Sequence, residues 1–140
     1  MTPIHFTVKG QPLPWQRAGR NGKRTFNTSR NTNAKSAIAW EAKAAMGNRK
    51  PIEGPVRMRL AFLFDWPKSY TQTRRRACYG NMVDSKRFGD IDNLSKSILD
   101  GLNGIAFEDD SQVAELHASK FFTESGACTR VTVEPLWEQE

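Results

Sequence analysis

The chain has 140 residues, 38% of them hydrophobic and 26% charged, a formal net charge of +6, and two cysteines, Cys78 and Cys128, that are far apart in sequence. This length suits one globular domain with a modest core, and the two cysteines and the isolated His5 and His117 argue against a disulfide framework or a zinc site. No apolar run reaches membrane-spanning length and the start, MTPIHFTVKG, has no signal-peptide pattern, so a cytoplasmic protein without membrane contact is expected.

The charge is unevenly spread. Residues 1–89 hold 18 basic and 4 acidic side chains, and residues 90–140 hold 3 and 11. A basic region of that size favours a polyanion through phosphate contacts and counterion release. An acidic centre beside it calls for a cation.

In chain order, Ile4, Phe6 and Val8 alternate with polar residues and predict a first strand over residues 4–9, ended by Gly10, Pro12 and Pro14. Residues 15–33 are turn-rich and carry Arg17, Arg20, Lys23, Arg24 and Arg30 without an acidic residue. They are expected to be a basic DNA-contacting loop, the plain alternative being a solvated surface loop. Trp15 and Phe26 stand among these charges, suited either to base stacking and wedging or to the core. Asn31, Thr32 and Asn33 predict the cap of a helix over about 34–46, with Ile38, Ala42, Ala45 and Met46 on its apolar face and Gly47 as its stop.

Val56, Met58, Leu60, Phe62, Phe64 and Trp66 alternate with Arg57 and Arg59 and predict a central strand. Residues 67–89 show no strong period and hold Lys68, Arg74, Arg75, Arg76, Lys86 and Arg87 against the single Asp84. Long loops in compact domains tend to be functional or mobile. This one is expected to be a DNA-binding arm ordered on its substrate, the alternative being an arginine triplet at a solvated helix end.

The acidic centre follows directly. Asp90 and Asp92 are two residues apart, a spacing that on an extended segment turns both carboxylates to one face. Leu94, Ile98 and Leu102 predict a helix from about 93 to 103, placing Asp92 at or next to its N-cap and Lys96 one turn further on. A lysine there can hold a phosphate that the carboxylates alone would repel. Glu108, Asp109 and Asp110 come next, ahead of an alternating run from Val113. If that run is a strand beside the Asp90 segment, Asp110 joins Asp90 and Asp92, with Asp109 or Glu108 as substitutes should the register slip. Three carboxylates with open water positions suit Mg²⁺ or Mn²⁺, and such an ion serves phosphodiester hydrolysis. Two final strands are predicted over about 112–122 and 127–135, joined by a hairpin at Thr123-Glu124-Ser125-Gly126, followed by a frayed tail.

Each short acidic motif alone is commonplace, a cap or a solvated turn; the joint pattern is specific. Asp90-Ile91-Asp92-Asn93-Leu94-Ser95-Lys96, Asp100-Gly101-Leu102 and Asp109-Asp110-Ser111-Gln112-Val113 together resemble the core motif of the RusA-type Holliday junction resolvases. The resemblance is close over the central quarter of the chain and looser outside it. It implies that Asp90, Asp92 and Asp110 are the metal-binding catalytic carboxylates and Lys96 the catalytic lysine. It also implies a homodimer that requires Mg²⁺ or Mn²⁺, without an organic cofactor, and nicks two opposed strands of a four-way DNA junction. Gly89 departs from the pattern, which often has proline or a basic residue before the first aspartate.

These readings predict a single α/β (α+β) domain spanning 1–140, a mixed sheet of about four strands with two helices on one face, and basic loops near 15–33 and 67–89. The expected DNA contacts are Arg17, Arg20, Lys23, Arg24, Arg74, Arg75, Arg76, Lys86 and Arg87. The function expected is a metal-dependent, junction-selective endodeoxyribonuclease. Its rivals are a non-catalytic junction or single-strand DNA-binding protein and a nuclease for other branched DNA such as flaps.

Overall fold

The computed structural model describes residues 2–15, 19–21, 24–26 and 29–137, with side chains described outside residues 16–30. Strand β1 (Ile4–Lys9) leads through the proline-rich turn to a short antiparallel pair, β2 (Gly19–Asn21) and β3 (Arg24–Phe26), and then to helix α1 (Ser29–Met46). Strand β4 (Val56–Asp65), helix α2 (Gln72–Ala77), helix α3 (Ile91–Leu102), strand β5 (Val113–Thr123) and strand β6 (Cys128–Pro135) complete the chain. The result is the mixed four-stranded α+β domain expected from the pattern, in the order β1-β6-β4-β5.

Strict alternation in β4 sets the layers. Val56, Met58, Leu60, Phe62 and Phe64 are buried, while Arg57 and Arg59 stand on the opposite face and pair with Glu115 and Glu134 of the neighbouring strands. The buried row meets Ile38, Ala42 and Met46 of α1 and Leu94, Ile98 and Leu102 of α3, so both long helices cover one side of the sheet. They approach closely because Gly101 has no side chain: a Cβ there would lie 2.6 Å from Ile38 Cγ2. Burying large apolar side chains of this kind contributes about 1.5–3 kcal/mol each.

Several local expectations differ from the structure. β5 and β6 do not form a hairpin, because β4 lies between them, parallel to β5 and antiparallel to β6. A four-residue link can step over one strand as readily as it can turn back, and the sequence alone does not distinguish the two. α1 begins at Ser29, so Asn31, Thr32 and Asn33 lie inside it, with Asn31 buried. Residues 67–89 are built rather than irregular, with α2 capped by Thr71 and 3₁₀ turns at Tyr79–Asn81 and Lys86–Phe88. Among the described residues this makes three α-helices instead of two. At the other end of the chain, Leu136 N–H donates to Pro55 O at 2.9 Å.

Parallel pairing of β4 with β5 requires a crossover. The chain leaves the C-terminal end of β4, passes through residues 66–90, and returns along α3 to the start of β5. α3 therefore separates two ends of the molecule. About 18 Å lies between its termini, at 1.5 Å per residue for 12 residues.

Candidate active site

Asp90 is the N-cap of α3 and has extended backbone angles, φ −76° and ψ 143°, while Asp92 falls in the first helical turn. The two carboxylates are thus a cap and a first-turn residue, rather than neighbours on one strand face as the spacing had predicted. Both are exposed. Asp90 makes no side-chain capping bond, and Asp92 accepts only from the N–H of Asn93 at 2.9 Å. The helix accommodates them because its first N–H groups lack internal partners and its dipole is positive at this end.

Lys96 is exposed one turn beyond Asp92, and its Nζ lies 5.4 Å from the centre of the Trp15 ring. Among the described residues neither Asp90, Asp92, Lys96 nor Asp110 has an ion-pair partner.

The backbone ahead of Asp90 is held from three sides. Lys120 Nζ, on the inner face of β5, donates to Gly89 O at 2.9 Å. Gly89 has φ +99°, a region that favours glycine, and a Cβ there would meet Pro14 at 3.0 Å. Phe88 packs against Phe64 and Phe122, with ring centres 5.1 and 5.3 Å apart. The glycine that departs from the family pattern is therefore required by this backbone and by the close approach of Pro14.

Asp110 stands elsewhere. It opens the 3₁₀ turn Asp110–Gln112, past the C-terminal end of α3. Gln112 clamps this turn: its Nε2 donates to Ile52 O and Gly54 O at 2.8 and 2.9 Å, and its Oε1 accepts from the N–H groups of Glu108 and Asp109. Asp109 caps the same turn through Ser111 N–H, and hydrogen bonding to the Ser111 side chain, then to its N–H, holds the Asp109 carboxyl below the usual carboxylate range. Its charge is committed locally, whereas the Asp110 carboxylate is exposed and without an ion-pair partner among the described residues. Within one chain the fold joins Asp90, Asp92 and Lys96 and sets Asp110 at the opposite end of α3. Accordingly, no three His, Cys, Asp or Glu side chains among the described residues are grouped to hold a metal ion.

The basic residues divide by occupation. Arg74 pairs with Asp84 at 2.9 Å and covers the Tyr70 ring, and Arg75 reaches Glu124 at 3.4 Å and lies over Trp66. Arg76 is exposed, as are Lys86 and Arg87 immediately before Gly89. Arg17 and Lys23 lie outside the described residues. Arg20 and Arg24 fall on β2 and β3, but their side chains are also outside them.

The Asp84 contact carries a pH prediction. The Arg74 guanidinium, and then the Tyr70 hydroxyl, hold the Asp84 carboxyl below its ordinary value of 3.8. A depressed native pKa stabilises the fold above the unfolded-chain value and ceases to do so as pH falls through the native one. Any difference in melting temperature between the wild type and Asp84→Asn at neutral pH should therefore shrink to nothing below that range. A difference that persisted in acid would refute the linkage. Both side chains are partly solvated, so the effect should be modest.

Sequence reasoning missed Lys120, the Gln112 clamp and the closeness of Trp15 to Lys96. Gln112 belonged to the recognised motif without a role, and Lys120 had no signal beyond being a lysine at an inward-facing strand position.

Residues 7–134 match the family model described as Endodeoxyribonuclease RusA. The chain is also 31% identical over 131 residues to a Bacillus subtilis (strain 168) protein named "Uncharacterized protein YqaN", a match covering 89% of this chain and 91% of that one.

Proposed function

Because this chain belongs to the RusA endodeoxyribonuclease family, we propose that it is a divalent-metal-dependent endonuclease that resolves four-way DNA junctions as a homodimer. The observation that carries the reading is the group of charges at the N-terminal end of α3: two exposed carboxylates and, one turn on, a lysine, none with an ion-pair partner among the described residues. A purely structural cap would need one acidic residue, bonded to the helix it caps.

The donor chemistry fits Mg²⁺ or Mn²⁺, since Asp90, Asp92 and Asp110 offer only oxygen ligands that no internal cation occupies. The ion would neutralise phosphodiester charge and acidify the attacking water. One chain supplies two of these carboxylates together and holds the third about the length of α3 away. We therefore propose that the set is completed between protomers, with Asp90 and Asp92 of one facing the partner's Asp110. A symmetric pair of sites then follows from the C2 axis, matching the two strands to be cut.

In this arrangement Lys96 binds the scissile phosphate, as a fixed cation worth most where water is excluded. Lys86 and Arg87, exposed just before Gly89, contact the flanking phosphates, with Arg76 further along the same basic segment. Arg74 and Arg75 chiefly hold that segment in shape.

The test is cleavage of a synthetic four-way junction beside duplex, flap and single-stranded controls, with Mg²⁺, with Mn²⁺ and with chelator. Metal-dependent paired nicking of the junction is expected. Junction binding with no cutting in either metal would favour the non-catalytic DNA-binding reading, and preferential cutting of flaps would change the substrate. Binding should also weaken steeply with salt, since each phosphate contact adds about 0.9 to the log–log slope on duplex DNA. A flat salt response would remove the role given to the basic segment.

A further inference from the structure

The short strap Leu13-Pro14-Trp15 is fastened at four points, three along the first turns of α3 and one at Gly89 just ahead of it. Ser97 Oγ donates to Leu13 O at 3.0 Å, and Trp15 N–H donates to Asn93 O at 2.9 Å. Pro14 fills the space that a side chain at Gly89 would need. The half-buried Trp15 ring lies against Lys96, with Nζ 5.4 Å from its centre, and lines a hollow shared with Lys35 and Ala39 of α1.

We propose that Trp15 is a positioning residue for Lys96. Its ring face holds the ammonium at the N-terminal end of α3, on the side of Asp92, so that the lysine meets the phosphate without first being ordered. A lysine side chain has four rotatable bonds and loses much rotamer freedom when fixed. Among the described residues no carboxylate restrains Lys96, which leaves the ring as the contact that restricts it. An aromatic face suits this task, because it attracts the cation without neutralising it and so leaves its charge available to a phosphate. The inference rests on Lys96 acting at the scissile phosphate.

The experiment uses the full chain and steady-state junction cleavage with Trp15→Leu, Trp15→Phe, Lys96→Met and the Trp15→Leu/Lys96→Met double variant, each checked for folding by circular dichroism. Trp15→Leu removes the ring face and keeps apolar bulk. It should lower kcat by about 2- to 30-fold with little change in KM, the range of a cation–π contact. Trp15→Phe should recover most of that loss. Lys96→Met should cost on the order of 10²-fold or more, and the double variant should be no worse than Lys96→Met alone. If Trp15→Leu does not fold, Trp15→Met takes its place. An unchanged kcat, a loss expressed in KM, which would mark Trp15 as a base-stacking surface, or a further loss in the double variant would each overturn the inference. If Lys96→Met cuts normally, the assignment of Lys96 itself fails, an outcome the Trp15 variants alone do not report.

Discussion

An Asp92→Asn variant should bind a four-way junction at least as tightly as the wild type in chelator, and cut it slower by a factor on the order of 10³ or more in Mg²⁺. The substitution keeps the shape of the side chain and its acceptor oxygen for Asn93 N–H, but removes the charge that a cation requires. Because Asp92 is exposed and has no ion-pair partner among the described residues, folding should be almost unaffected. Asp110→Asn should behave in the same way, although Asp110 lies past the other end of α3. Mixing the two inactive variants under conditions of subunit exchange separates the possible architectures. If each site joins Asp90 and Asp92 of one protomer to the partner's Asp110, a mixed dimer holds one intact site and one doubly damaged site. Random exchange at equal concentrations should then restore about a quarter of wild-type sites, seen as single-strand nicking. If each chain builds its own site, every site in the mixture stays damaged and nothing is restored. Normal cutting by Asp92→Asn alone would sink the nuclease reading at this position.

Phe107→Ala should lower stability by about 3–5 kcal/mol, a large part of the roughly 5–15 kcal/mol available to a domain. Phe107 is fully buried, pairs its backbone with Ile52 and Asn103, and accepts from Gly104 N–H at 2.7 Å. It immediately precedes Glu108, Asp109 and Asp110. Its ring anchors the acidic turn to the core, as Gln112 anchors that turn to the residues before β4. Thermal unfolding should show a fall on the order of 10 °C or more, and Phe107→Leu, which retains most of the volume, should lose much less. A loss under 1 kcal/mol for the alanine variant would mean that the surrounding core collapses into the vacated space.

The period-2 run from Val56 to Phe64 and the i, i+4, i+8 series Leu94, Ile98, Leu102 were legible because burial on one face dictates a repeat that no other arrangement satisfies. The acidic motif was legible for a different reason. The types of its residues and their order along the chain are enough to recognise a family. The Trp15 strap was not legible, since an aromatic residue beside Gly10, Pro12 and Pro14 reads equally as core or as loop. Nor was Lys120, whose partner Gly89 lies 31 residues away.

The amino-acid sequence by itself determined the four long strands and the two long helices, the separation of basic and acidic halves, and the family. Local periodicity and side-chain chemistry act over a few residues and survive without coordinates. Only the tertiary structure decided that β4 lies between β5 and β6, that residues 67–89 are folded, and that α3 puts Asp110 at the opposite end from Asp90 and Asp92. These depend on strand order and on the direction of a crossover, set by the packing of the whole core rather than by any one stretch of chain. The same packing sets three acidic positions, read in sequence as one cluster, at the two ends of α3.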